Sequence, residues 1–138
     1  MANKIYPKWK QEILKGTSNN LLNSAEGITG VYVALIDTAT YTYSDTHQFY
    51  SSLGGIVGTD QEILSKTQLN GIFGGTNLTF PSVGGSTAEA IVLYRKNAGA
   101  NTTWPLIVFM DTDVTGLPVT PNDENITITW DEAGIFAL

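Results

Sequence analysis

The chain has 138 residues, which suits one domain with a single core. Hydrophobic residues make up 42% of it and charged residues only 14%, and its many Gly, Thr, Asn and Ser residues favour strands and turns over helices. The absence of Cys excludes disulfides, thiolate metal sites and a cysteine nucleophile. No apolar run approaches the roughly 20 residues that cross a bilayer, and the N-terminus lacks a signal-peptide core. We therefore expect a protein that is neither secreted nor membrane-bound.

The net charge of −6 is unevenly distributed along the chain. Residues 1–15 carry +3, because four lysines accompany Glu12, and the remaining residues carry −9. An acidic body repels the phosphates of nucleic acids, so we expect no nucleic-acid binding. The basic segment has two interpretations: it docks on an acidic protein surface, or its lysines only keep a terminal helix solvated.

A short helix is predicted near the N-terminus. Pro7 suits its first position and Gly16 suits the residue just past its end. Tyr6, Trp9 and Ile13 share one face. A helix of about nine residues is marginal alone in water, so this face must pack on the body of the chain or on a neighbouring subunit.

The residues after this helix predict a division of the chain. Residues 17–27 are polar and rich in Asn and Ser, which is typical of a connector that lets a helix reach outward. We expect an N-terminal helical arm and connector over residues 1–27 and a β-sandwich domain over residues 28–138. In this interpretation the arm docks on another protein through aromatic, aliphatic and basic side chains. The candidate interface residues are Tyr6, Lys8, Trp9, Lys10 and Ile13.

From Gly30 onward the pattern changes to short strands. Residues 31–36 are apolar on both faces, which predicts a central buried strand. Asp45 and Gln48 have the spacing of a capping box and predict one further short helix, ending at Gly54 and Gly55. Other strands are predicted near residues 63–69, 77–80, 89–95, 104–110, 125–130 and 134–138. The whole pattern indicates a mostly β fold, an antiparallel β-sandwich or barrel-like arrangement with two minor helices.

The predicted strand at residues 125–130 alternates strictly. Ile126, Ile128 and Trp130 share one face, and threonines occupy the other. This alternation predicts that Trp130 is an anchor of the core. The alternative is that tryptophans and tyrosines form an exposed platform on which sugars stack.

Side chains suited to catalysis are few. His47 is the only histidine and has no Ser or carboxylate partner evident in the sequence, so we assign it a structural or solvent-exposed role. No Gly-rich segment matches a phosphate-binding loop. Carboxylates occur in pairs at predicted strand ends and turns, where solvated acids are ordinary: Asp111 and Asp113, Asp123 and Glu124, Asp131 and Glu132. We expect no enzyme, no catalytic residue and no cofactor.

Residues 111–116 match the first half of a calcium-binding EF-hand loop, with its central Gly. The twelfth position of that loop is Asn122, where a bidentate Glu is required. The flanking residues are also predicted as strand and Pro-containing loop rather than as helices. We therefore predict no EF-hand and assign no metal ligands, while a looser calcium site built from loop carboxylates stays open.

Four segments carry a resemblance to a known family. They are MANKIYPKWKQEILKG at the start, VYVALIDTATYTYSDTHQFYSSL after Gly30, the turn TGLPVTPN, and ITITWDEAGIFAL at the end. Together they resemble a family of small structural proteins encoded in tailed-bacteriophage genomes. The resemblance covers nearly the whole chain and is loosest at residues 61–85. It implies a virion component, assembled in the cytoplasm of the host bacterium, and it brings no catalytic residues.

Within such a particle, capsid decoration fits the sequence best. An acidic β-domain with a helical arm suits repeated docking on the outside of a shell. The expected partner is the major capsid protein or another virion protein, together with self-association. The alternatives are a head-completion, collar or tail protein, and a glycan-binding β-sandwich module of a fibre or spike.

Overall fold

The computed structural model describes residues 3–138; Met1 and Ala2, with which the predicted arm begins, lie outside the described residues. The described chain is mostly β, with antiparallel strand pairs, one α-helix and short 3-10 turns. The strands are β1 (Lys4–Ile5), β2 (Gly30–Ile36), β3 (Ile56–Glu62), β4 (Ile72–Phe73), β5 (Leu78–Val83), β6 (Ala90–Lys96), β7 (Leu106–Met110), β8 (Glu124–Ile128) and β9 (Phe136–Ala137). The helix is α1 (Pro7–Leu14), and the 3-10 turns are Ser18–Asn20, Tyr50–Ser52, Leu69–Gly71 and Asn101–Thr103.

A five-stranded antiparallel sheet, with strand order β1-β7-β6-β2-β3, forms the centre of the fold. β2, β6 and β7 take the interior positions because apolar residues occupy both of their faces, and nearly all of these residues are buried. The register of β2 and β6 places Tyr32 opposite Tyr94 and Val33 opposite Leu93. At this level the sheet therefore has one aromatic face and one aliphatic face.

Two antiparallel ribbons, β4–β9 and β5–β8, complete the core in a sandwich-like arrangement. β5 lies close against β3 at Gly58, where an added Cβ would come 3.2 Å from Cγ1 of Val83. Gly58 also has a φ of +71°, which L side chains rarely adopt, so this close approach depends on glycine. Strand pairing and side-chain packing thus enclose one continuous hydrophobic core.

The structure confirms the mostly β, antiparallel fold and many of the predicted elements. α1 begins at Pro7, and Gly16 lies just past its end with a φ of +73°. β2 is the buried interior strand that its apolar residues predict. The strand predicted at residues 63–69 is wrong, because the segment that pairs with β2 is β3, which ends at Glu62.

The second predicted helix is a single 3-10 turn, Tyr50–Ser52, and the capping box is not formed. The carboxylate of Asp45 accepts a hydrogen bond from the Tyr43 hydroxyl at 2.7 Å instead of capping a helix. The residue before the turn, Phe49, is extended and forms a β-bridge with Pro105. This bridge keeps the backbone extended where the capping box predicts helix.

The N-terminal segment, predicted as an arm that reaches outward, packs on the body of the described chain instead. β1 pairs with β7, and the Tyr6 amide donates to the Ile107 carbonyl at 2.9 Å. Tyr6 is 0% exposed and Trp9 is 1% exposed, and the hydroxyls of Tyr6 and Tyr41 are hydrogen-bonded at 2.9 Å. The reason is that burial of two large aromatic side chains stabilises the chain more than their exposure on a mobile helix.

The predicted connector is also fixed to the body. Nη1 of Arg95 donates to the backbone and side-chain oxygens of Asn19 at 2.9 and 2.8 Å. The Gly27 amide donates to the Glu62 carboxylate at 2.8 Å. These hydrogen bonds tie the connector to β6 and β3, so the described residues 3–27 pack with the β-domain and are not independent of it.

Candidate functional site

An apolar groove lies where α1 meets the β4–β9 ribbon, and its volume is about 210 Å3. Trp9 and Ile13 of α1 line it, together with Phe73 and Phe136, which pair across the ribbon. The rings of Trp9 and Phe136 meet edge to face, with centroids 6.1 Å apart. The helix face that the sequence predicts to be apolar therefore packs on the ribbon and leaves a groove beside it.

Two buried polar atoms among the groove residues have no hydrogen-bond partner within the described chain: Nε1 of Trp9 and Oδ1 of Asn20. Trp9 is 1% exposed and Asn20 is 3% exposed. Both residues also line a smaller cavity of about 120 Å3 that is bordered by Pro105. An unpaired donor and an unpaired acceptor suit a ligand that offers both groups, such as a peptide bond or water.

Large apolar side chains are exposed around the apolar groove. Leu21 is 50% exposed, Ile72 39% and Leu138 69%, and all three line the groove. Leu14, at the end of α1 and next to Ile13, is 88% exposed. Clustered apolar side chains on a surface mark sites of protein contact more often than isolated ones do. We call the groove together with these four residues the docking surface.

α1 adds positive charge beside the docking surface. The helix and the residue that caps it carry Lys8, Lys10 and Lys15, against Glu12 alone. Nζ of Lys15 forms a salt bridge with Oε1 of Glu12 at 3.0 Å. Hydrogen bonds from Lys15 and Thr17 lower the pKa of the Glu12 carboxyl. Lys10 is exposed and Lys8 is half-buried, so both ammonium groups are near the protein surface.

The five predicted interface residues thus fall into two groups. Tyr6 and Trp9 belong to the core of their own chain and are not free to bind another protein as exposed anchors. Lys8, Lys10 and Ile13 remain at the surface, and Ile13 lines the apolar groove. A role for these three residues in an interface stays a prediction.

A second groove, here called the Trp130 groove, lies beside the first and shares Ile72 with it; its volume is about 520 Å3. Nε1 of Trp130 donates to the Thr76 carbonyl at 2.8 Å. The backbone amide of Trp130 donates to Oδ1 of Asn77 at 2.9 Å. Trp130 is half-buried, with part of its ring against the core. The predicted role of Trp130 as a core anchor is therefore only partly correct.

The alternation predicted around Trp130 is confirmed within β8. Ile126 and Ile128 are buried, while Thr127 and Thr129 are exposed. β8 ends at Ile128, so Trp130 follows the strand rather than belonging to it. The regular alternation of side chains no longer applies past the end of the strand, and this places the indole at the edge of the core.

A half-buried acid with two tyrosine donors lies on the aromatic face of the sheet. The hydroxyls of Tyr50 and Tyr94 donate to Oδ2 of Asp60 at 2.9 and 2.7 Å. Oδ1 of Asp60 is buried without a partner in the described chain. Burial raises the pKa of Asp60, and the two tyrosine hydrogen bonds and the charge of Lys96 offset part of this effect.

Further rings and a lysine pack around the two tyrosines. Trp104 stacks on Tyr94 with centroids 5.9 Å apart, and Tyr32 stacks on the same ring at 6.0 Å. The Lys96 ammonium lies 5.1 Å from the ring centroid of Tyr32 and 5.2 Å from that of Trp104. Asp60 is therefore half-buried beside this cluster and lines neither groove.

The polar residues that the sequence singles out have structural contacts. Nδ1 of His47 and the Tyr41 hydroxyl are hydrogen-bonded at 2.7 Å. The amides of Asp111 and Thr112 both donate to Oδ1 of Asn3 at 2.9 Å, which closes the turn after β7. Within residues 3–138, no three or more His, Asp or Glu side chains are arranged to hold a metal ion.

The sequence reasoning missed most of the groove residues. Leu21 and Leu138 lie in segments predicted as connector and as a terminal strand, and no local pattern brings them beside α1. The Trp130 groove includes Thr67, which lies in a loop where a strand is predicted, and Asn70, which lies in the 3-10 turn just after it. The available signal was the pair of leucines, Leu21 and Leu22, inside an otherwise polar connector.

Comparison with known proteins identifies no family: no protein-family model matches the chain, and no curated protein matches it. In the part of the chain that the structure describes, no helix is both long and apolar enough to cross a membrane. Both grooves combine apolar or aromatic walls with a few polar groups, which is the chemistry of binding surfaces.

Proposed function

We propose that the chain is a structural protein of a tailed-phage virion and that it binds the outside of the capsid as a decoration protein. The observation that carries the proposal is the docking surface, an apolar groove with exposed leucines beside a basic helix. The sequence resemblance to small tailed-phage structural proteins suggests the particle. The proposed partner is the major capsid protein.

The apolar part of the docking surface would supply most of the binding free energy. Leu21 and Leu138 lose their contact with water when a partner covers the groove, and full burial of such a side chain contributes about 1.5–3 kcal/mol. A decoration protein needs no large interface at each site, because many copies on one lattice add their contributions to the stability of the shell.

Charge favours an acidic partner surface and the outer side of the shell. Lys8 and Lys10 attract acidic groups and orient the approach of the docking surface. The chain after residue 15 carries −9 and is repelled by packaged DNA, so the inner side of the shell is unfavourable.

We infer a binding role rather than an enzymatic one. The carboxylate whose pKa is raised, Asp60, is hydrogen-bonded to two tyrosines and lines neither groove. The one histidine, His47, is hydrogen-bonded to the Tyr41 hydroxyl and lines neither groove. A reacting substrate in either groove would have neither group within reach.

Docking variants test this proposal. The purified chain is added to particles of the encoding phage from which its gene has been deleted, and bound protein is measured by co-sedimentation. We expect saturable binding by the wild type and at least a tenfold loss of affinity for Leu21→Asp, because a carboxylate in the groove must be desolvated against apolar groups.

A matched control is Ile28→Asp, since Ile28 is 73% exposed and lies away from both grooves. We expect this variant to bind like the wild type. If Leu21→Asp also binds like the wild type, the docking surface lies elsewhere on the chain. If the wild type does not bind particles at all, the decoration proposal fails; if it instead forms dimers or trimers in sedimentation that Leu21→Asp abolishes, the groove binds a second copy.

A further inference from the structure

The Trp130 groove has the composition of a site for a small polar ligand with apolar faces. Its walls combine the half-buried indole of Trp130 with exposed hydroxyl, amide and carboxylate groups. The polar side chains are those of Ser65, Thr67, Asn70, Thr76 and Glu132. None of the residues that line the groove is Lys or Arg, so it offers no cation for a phosphate or a nucleotide.

The indole is held in place by its edge. The hydrogen bond from Nε1 of Trp130 to Thr76 uses the only polar group of the ring. Because this edge is engaged and part of the ring packs on the core, the exposed part of the ring contributes an apolar, electron-rich surface to the groove. None of the aromatic ring pairs within the described chain involves Trp130, so no other ring covers it.

Residues 65–74 form another wall of the Trp130 groove, and hydrogen bonds within the chain hold this wall in place. Backbone hydrogen bonds in both directions join Thr67 and Gly74 at 2.9 Å, and the Ser65 amide donates to the Glu26 carboxylate at 2.8 Å. Ser65 and Asn70 have φ values of +51° and +56°, which turn the loop around the groove. A wall held in this way loses little conformational entropy when a ligand binds.

We propose that the Trp130 groove binds a neutral saccharide, with one sugar ring stacked on the indole. The C–H bonds on one face of a sugar ring carry partial positive charge and suit the negative face of an aromatic ring. Sugar hydroxyls both donate and accept hydrogen bonds, and so do Ser, Thr and Asn side chains, while Glu132 accepts. The Glu132 carboxylate and the acidic chain disfavour anionic sugars.

This site is separate from the docking on the capsid and needs no particle. The two grooves share Ile72, but Trp130 and the polar side chains proposed to bind saccharide line only the Trp130 groove. Binding of saccharide by the isolated chain therefore succeeds or fails independently of the decoration proposal.

The test uses the full chain and neutral oligosaccharides. Malto-, cello- and chito-oligosaccharides and lactose are titrated at millimolar concentration, and binding is followed by saturation-transfer NMR and calorimetry. We expect saturable binding of at least one of them, at least a tenfold loss of affinity for Trp130→Ala, and a smaller loss for Glu132→Gln. Circular dichroism melting shows which variants are folded.

The matched control is Glu124→Gln, which removes an exposed carboxylate of β8 outside the groove. This variant should bind like the wild type. If Trp130→Ala does not fold, Thr67→Val and Glu132→Gln decide the matter, since both residues are exposed and their replacement leaves the core intact. Absence of saturable binding by the wild type, or equal binding by these groove variants and Glu124→Gln, overturns the proposal.

Discussion

Asp60 lies in an environment where burial and hydrogen bonding have opposite effects on one carboxyl group. Burial raises its pKa above the ordinary value of 3.8, while hydrogen bonds from Tyr94 and Tyr50 favour the charged form and limit the rise. Oδ1 of the same carboxylate has no partner in the described chain. In the folded protein the protonated form is therefore less unfavourable than it is in water.

The raised pKa of Asp60 predicts how stability changes with pH. A group whose pKa is higher in the folded state contributes stability below its unfolded pKa, and this contribution is lost as pH rises through the folded pKa. We therefore expect the free energy of unfolding of the wild type, relative to Asp60→Asn, to increase as pH falls from neutral towards 4. Urea denaturation of both proteins over this range measures the difference; a difference that does not vary with pH, or that falls on acidification, would contradict the account.

No local sequence pattern predicts this cluster. Tyr50, Asp60 and Tyr94 lie on different elements, and their contact depends on the pairing of β2 with both β3 and β6. The same is true of the lining of the apolar groove. Residue types could be read from the sequence, but contacts between distant residues depend on strand order, which the sequence pattern does not specify.

α1 shows how an element acquires stability that its own sequence lacks. Eight residues form too short a helix to persist in water, and the helix is held by burial of Tyr6 and Trp9 and by the pairing of β1 with β7. The sequence signals its start and end correctly, through Pro7 and Gly16. These two signals do not show whether the apolar face of the helix packs on this chain or on another.

The burial of Trp9 predicts a large stability effect at the N-terminus. We expect Trp9→Ala to lower the free energy of unfolding by about 3–5 kcal/mol, the range found for replacement of a fully buried large aromatic residue. Lys10→Ala, on the exposed side of the same helix, should change it by no more than about 0.5 kcal/mol. Chemical denaturation measures both values, and equal stabilities of Trp9→Ala and Lys10→Ala would show that the helix does not belong to the core.

β3 lies at Ile56–Glu62, whereas the sequence pattern predicts a strand at residues 63–69. Its residues Ile56–Glu62 include Gly58 and a polar end, Thr59–Glu62, so they lack the alternation that is typical of a strand. The apolar residues that follow, Ile63 and Leu64, suggest a strand later than the real one. Pairing with β2 decides the position, with a register shift between Val33 and Leu35 that propensity alone does not predict.

At the scale of the whole molecule, the chain combines a packed β-body with two adjacent grooves. The docking surface and the Trp130 groove share Ile72 and have different chemistry, one apolar and one mixed. The mostly β fold could be predicted from composition and turn residues, because many weak local signals agree. The two grooves could not, because each is built from segments that are distant in sequence.

Copy number in the particle tests the decoration proposal most directly, because it depends on where the protein binds and not on its fold. Quantitative mass spectrometry of purified phage particles compares the amount of this chain with the amount of the major capsid protein. We expect a copy number close to that of the major capsid protein, since a decoration protein occupies repeated sites on the shell. A handful of copies per particle would indicate a head-completion, collar or tail protein, and absence from the particle would contradict the virion proposal itself.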